Sequence, residues 1–188
     1  MRHDNIHDFN AGLLRKVHKD VETEPKLIPI PEETCEEDRA RVDIRCKGFW
    51  RPAQSAYFDV RVTNPLSAAA LKTSISKSYY SQQREKKRKY NYRIMNKDNG
   101  TFTPLVYSVA GSLAPECSLF YKRLCTKLSE KHNEKYSDVL NWVKCKISFL
   151  FIRACLTCLR GTRRIKIIHI FQTIFAYDIS EAGIGSVI

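Results

Sequence analysis

Arg41–Thr63 reads RVDIRCKGFWRPAQSAYFDVRVT and contains two runs that alternate apolar with polar residues. In the first, Val42 and Ile44 alternate with Asp43 and Arg45; in the second, Phe58, Val60 and Val62 alternate with Asp59 and Arg61. A period of two marks a half-buried strand, because successive side chains leave the backbone on opposite faces. Gly48, Pro52 and the polar Gln54–Ser55 pair punctuate the interval between the runs. The expectation is a pair of strands with Asp43, Asp59 and Arg61 together on the face away from Phe58 and Val60. Two carboxylates and one cation would then share one surface, as a divalent-metal phosphodiesterase site requires.

Outward from this stretch the pattern turns helical. On the N-terminal side Ile6, Phe9, Leu13, Leu14, Val17 and Val21 recur at helical spacing, which predicts a helix over residues 4–21 with Asp4 as N-cap. Glu24-Pro25 ends it, since proline disfavours the helical conformation in the residue before it. Residues 25–38 form an acidic connection punctuated by prolines. On the C-terminal side Asn64-Pro65 closes the second strand, and Leu66–Ser78 has no decisive pattern. A basic helix is predicted from Tyr79 to Asp98, ended by Asn99-Gly100. Phe102–Val109 is a third strand, read as central because it is apolar nearly throughout. Pro115 fits the first turn of a helix running through Leu119, Phe120, Leu124 and Leu128. A longer helix, Tyr136–Arg160, stops at Gly161, and Ile165–Ile170 reads equally as edge strand or helix. The fold class is α/β, a small mixed sheet flanked by helices.

The 188 residues suffice for one domain with a real core. A formal charge of +12 favours a polyanionic partner. The charge is unevenly spread: Arg84–Lys89 holds five cations and one acid, whereas residues 22–38 hold seven acids and one lysine. Seven cysteines are an odd number at low density, and the N-terminus has no apolar signal core, so the expected location is nuclear or cytoplasmic with reduced thiols. The apolar tracts Ile147–Leu159 and Ile165–Ile179 fall short of the ~20 residues of a membrane span, so no membrane association is expected. No glycine-rich phosphate loop, nucleophile elbow or dinucleotide fingerprint occurs, which argues against those enzyme classes.

Phosphodiester hydrolysis with Mg²⁺ or Mn²⁺ needs hard oxygen ligands, and Mg²⁺ makes do with one or two carboxylates because it keeps several waters. Asp43 and Asp59 are the candidate ligands, Glu24 or an acid from Glu32–Asp38 the candidate extra ligand, and Arg61 the candidate phosphate contact. The bland alternative is that polar residues alternating on a strand mark a solvent face. The run Gln83–Arg93, QREKKRKYNYR, reads as a phosphate-backbone contact through Arg84, Lys86, Lys87, Arg88, Lys89 and Arg93, as a nuclear localisation signal, or as a solvated helix face. Tyr79, Tyr80, Tyr90 and Tyr92 can stack on bases, with at least two expected to pack on the sheet. Cys155 and Cys158 form a lone CxxC without matching zinc ligands, so they read as buried core thiols. His3 and His7, one helical turn apart, read as surface residues.

The sequence Asp43 followed by Asp59-Val60-Arg61 resembles the PD-(D/E)XK, or restriction-endonuclease-like, nuclease pattern. More specifically, RVDIRCKGFW, AYFDVRVTNP, QREKKRKYNYR, GTFTPLVYSVAG, FYKRL and NWVKCKISFLFIRACLTCLRG resemble successive blocks of one nuclease-like domain. That domain follows the polymerase region in reverse-transcriptase proteins of invertebrate mobile elements. The resemblance covers residues 1–162 as one domain and leaves 163–188 as a C-terminal extension. It implies a restriction-endonuclease-like fold and metal-dependent cleavage of DNA, with RNA as the other candidate partner. Two departures stand out. Arg61 replaces the usual lysine, and guanidinium clamps phosphate but does not act as a base. The chain also begins without a polymerase ahead of it, as a fragment or decayed copy would. The alternative expectation is therefore a decayed domain that binds nucleic acid without cutting it, or a relic that merely folds.

Overall fold

The two alternating runs pair as antiparallel strands, and the rest of the sheet is laid beside them. The structure is a computed structural model and describes residues 2–28, 40–65 and 74–161. The chain divides into two units, Met1–Phe151 and Ile152–Ile188, and residues 152–161 are the described part of the second. The elements run α1 (Arg2–Val17), β1 (Val21–Thr23), β2 (Ile44–Lys47), β3 (Ser55–Thr63), α2 (Ile75–Asn96), β4 (Thr101–Ser108), α3 (Pro115–His132) and α4 (Tyr136–Gly161). The described strands form one mixed sheet in the order β1-β2-β3-β4. β2 and β3 pair antiparallel with Ile44 opposite Phe58, whereas β3 and β4 pair parallel with Asp59 opposite Pro104. The parallel pair requires a crossover, and α2 supplies it.

One face of the sheet packs against α1, α3 and residues 136–151 of α4. Phe49, Phe58 and Phe120 stand at its centre with ring centroids 4.9–5.2 Å apart. Ile6 and Leu14 of α1, Leu124 and Leu128 of α3, and Val143 and Ile147 of α4 extend this core. Its buried polar groups satisfy one another: Asn10 Nδ2 donates to the Tyr107 hydroxyl at 2.9 Å, and the Tyr121 hydroxyl donates to Asn10 Oδ1 at 2.6 Å. The two hydroxyls are 2.9 Å apart, so the ring closes without water. α2 covers the other face through Tyr79, Gln83, Tyr90, Arg93 and Ile94.

Four expectations need correction. The first helix ends at Val17 rather than Val21, and Asp4 lies within its first turn instead of capping it. Val21 pairs with Cys46 in β1, so sheet pairing overrides the apolar spacing that would continue the helix. β4 lies at the edge of the described sheet, not its centre. Its apolar character arises because helices cover both its faces, and Ala114 N–H donating to Val106 O at 3.0 Å folds the following turn over its open side. Cys155 is half-buried and Cys158 exposed, against the reading as buried thiols. The remaining boundaries are close to those read from sequence. Ser74 caps α2, Asn99 adopts a positive φ just after it, and Pro115 opens α3. Residues 29–39, 66–73 and 162–188 lie outside the described residues, and with them the acids from Glu32 to Asp38 and the Ile165–Ile170 assignment.

Candidate functional site

Period-two alternation puts Asp59 and Arg61 on the α2 face of β3, opposite Phe58 and Val60. That face is not solvent at Asp59, so the bland alternative of a solvent face does not hold there. α2 crosses here, and the Asp59 side chain is only 5% exposed. Lys86, reaching in from α2, places Nζ 2.6 Å from Asp59 Oδ2 and is itself largely covered. The covered face of α2 runs Tyr79, Gln83, Lys86, Tyr90 and Arg93, so Lys86 is the cation that helical geometry turns toward the sheet. Burial holds the Asp59 carboxyl above its ordinary range; the Lys86 ammonium opposes that rise, and the charge of Asp43 adds to it.

Asp43 reaches the same place by another route. β2 begins at Ile44, so Val60 has no β2 backbone partner in line, and its N–H donates to Asp43 Oδ2 at 2.5 Å. His3 Nε2 donates to the same oxygen at 3.0 Å, and this bond raises the His3 pKa above 6.5. His7 Nε2 and Glu24 N–H both donate to the Asp43 carbonyl, at 3.0 and 2.8 Å. The His3 and His7 rings stack 6.3 Å apart. Both histidines hold Asp43; His3 is a surface residue as expected, whereas His7 is half-buried. Glu24 is near Asp43 through its backbone only: its side chain is 68% exposed and 3.6 Å from Arg41.

A cleft of about 540 Å³ opens beside this pair, with His3, Arg61 and Lys86 as its charged or titratable lining and Val60 and Val62 as apolar wall. A second groove of about 310 Å³ continues from Arg61 and Lys86 to Arg88 and Lys89. Arg61 lies 4.0 Å from Glu85 and is partly exposed. Of the other basic candidates, Arg84, Arg88 and Lys89 are exposed, and Lys87 pairs with Glu116 at 2.7 Å. Arg93 lies on the covered face, two turns beyond Lys86. It is 4% exposed and donates from Nε to the Ile28 carbonyl at 2.6 Å, which ties down the chain ahead of residue 29.

The arrangement offers two carboxylates joined through the Asp59–Val60 backbone, one buried ammonium and a cationic cleft. Among the described residues no group of three or more His, Cys, Asp or Glu can hold a metal ion. Two carboxylates do meet the lower requirement of Mg²⁺, which keeps water in its remaining positions. The mutual charge of Asp43 and Asp59 is also what a cation would relieve. No helix among the described residues is long and apolar enough to cross a membrane. No protein-family model and no curated protein matches the chain.

Proposed function

We propose that the chain is a metal-dependent DNA endonuclease domain of the restriction-endonuclease-like kind, with Asp43 and Asp59 as the ligands of Mg²⁺ or Mn²⁺. The observation that carries this reading is the Lys86–Asp59 pair at 2.6 Å beside Asp43, at the wall of a cationic cleft. The sequence resemblance calls for a lysine where Arg61 stands, and Lys86 supplies an ammonium at Asp59 from the neighbouring helix. In the proposed roles, Arg61 holds two phosphate oxygens by parallel hydrogen bonds, which suits guanidinium. Lys86 orients the attacking water or stabilises the charge developing on the phosphate. His3 and Val60 N–H hold the Asp43 carboxylate in place. The divalent cation, when bound, supplies a more acidic water and positive charge beside the phosphate.

A second reading is favoured by the same distance. With Lys86 already neutralising Asp59, the pair can be a closed structural ion pair in a domain that binds nucleic acid and does not cut it. Nicking of supercoiled plasmid in Mg²⁺ or Mn²⁺ separates the two, with Asp59→Ala and Lys86→Ala alongside. Metal-dependent nicking lost in both variants supports the nuclease. A folded wild-type chain that binds plasmid without nicking it leaves the second reading, and nicking that survives Asp59→Ala removes the first.

A further inference from the structure

Two tyrosines of α2 stand in solvent where aromatic rings are ordinarily packed. Tyr80 and Tyr92 are each 67% exposed, while Tyr79 and Tyr90 close by are 7% and 5% exposed. Arg84 and Arg88 stand between the exposed pair, both exposed themselves. Tyr80, Arg84, Arg88 and Tyr92 recur every four residues, so they form one ridge on the helix surface, about 18 Å long at a rise of ~1.5 Å per residue. The ridge meets the proposed site at one end: Arg88 and Lys89, one turn before Tyr92, line the groove that includes Arg61 and Lys86.

We infer that this ridge binds an unpaired stretch of nucleic acid, so that the strand entering the cleft lined by His3, Arg61 and Lys86 is single-stranded on one side of the bond to be cut. The inference rests on the nuclease reading for that last clause and on the ridge alone for the first. Base pairs inside a duplex present only their edges, whereas unpaired bases offer a π-face to any exposed ring. Two rings separated by two guanidiniums supply both requirements of single-strand binding, stacking and phosphate contact. A duplex major groove would admit Arg84 and Arg88 to base edges, but it offers the two rings no base face to stack on. The net charge of +12 supplies the long-range attraction for either form, so the rings are what discriminate.

The test uses the full chain in EDTA, so that cleavage plays no part, and reads fluorescence anisotropy of a labelled oligothymidylate and of a duplex of equal length. The double variant Tyr80→Ala/Tyr92→Ala should weaken oligothymidylate binding about tenfold or more and change duplex binding by less than about twofold. Tyr80→Phe/Tyr92→Phe should restore it, because the ring stacks and the hydroxyl does not. Arg84→Ala/Arg88→Ala should lessen the salt dependence for both ligands. Equal weakening on both ligands, or unchanged oligothymidylate binding in the alanine variant, overturns the inference. If plasmid nicking is absent while the tyrosine result holds, the nuclease reading fails and the single-strand ridge stands.

Discussion

The two faces of this sheet are built on opposite terms. Against α1, α3 and α4 the sheet buries one continuous apolar core, in which Asn10, Tyr107 and Tyr121 close a ring of hydrogen bonds among themselves. Against α2 the apolar packing is broken in two. Tyr57, Tyr90, Ile94 and Phe102 cluster near one end of the helix, and Tyr79, Val106 and Ala114 near the other. Between them lie Asp59, Lys86 and Gln83, polar groups where a stable helix–sheet contact would place leucine or valine. A buried ion pair gains little net stability over apolar packing, because desolvation offsets its attraction. The interrupted face is therefore where chemistry is to be sought, and the continuous face is what holds it rigid.

That contrast can be tested by its energies. Phe120→Ala, at the junction of three rings on the continuous face, should cost about 3–5 kcal/mol in urea unfolding. Tyr79→Ala, taken from the smaller cluster under α2, should cost less. A larger loss at Tyr79 would reverse the assignment of the main core. Gly100→Ala should cost about 1–3 kcal/mol, because a Cβ there would lie 2.5 Å from the Tyr57 ring and 3.0 Å from Ser55 O. Crowding at that turn is felt first on the α2 face, so the variant should also depress plasmid binding.

The pH dependence tests the interrupted face directly. Burial raises the Asp59 carboxyl above 3.8, so its contribution to stability is complete below that value and is lost as pH rises through the folded-state pKa. Asp59→Asn cannot ionise. Its stability relative to the wild type should therefore rise with pH across that window, as followed by urea unfolding at a series of pH values. A flat or falling difference would mean that the Lys86 pair outweighs burial. On the continuous face, burial pushes the Cys46 thiol up to about 12 and the Cys125 thiol up to about 11. Exposed Cys145 should be alkylated by iodoacetamide well before either, as peptide mass spectrometry of a time course would reveal. The smallest effect is expected at the rim, where Glu85→Gln removes the 4.0 Å contact with Arg61. It should change stability by less than about 0.5 kcal/mol in the same unfolding assay.

How far the molecule was legible in its sequence follows the same division. The alternation at Phe58–Val62 revealed β3, apolar spacing revealed most of α1 and α3, and the stops at Asn99-Gly100 and Gly161 marked the ends of α2 and α4, since each signal is local. β1 was not legible: Val21–Thr23 is three residues long and is a strand only because Cys46 lies opposite. The alternation also assigned Asp59 and Arg61 to one face correctly but could not say what covers that face. Cover depends on the crossover of α2, a non-local fact. Lys86 was hidden among four other cations of Arg84–Lys89, yet a signal existed. Counting from Tyr79 by helical turns through Gln83 and Tyr90 to Arg93 selects Lys86 as the inward one. The same count would have removed Arg93 from the exposed candidates. For His3 and His7 the one-turn spacing was visible, but their partner, Asp43, is 40 and 36 residues away.

The bond from Val60 N–H to the Asp43 carboxylate has a practical consequence. Most amides of a strand donate to a backbone carbonyl that titrates with nothing and binds nothing. This one donates to an ionisable oxygen at 2.5 Å, so its proton resonance and its rate of exchange with deuterium register the charge on Asp43. Protonating that carboxylate, or drawing its electron density toward a bound ion, alters one peak in a ¹⁵N spectrum while its neighbours along β3 stay still. The strand thus carries its own spectroscopic probe, readable without a substrate.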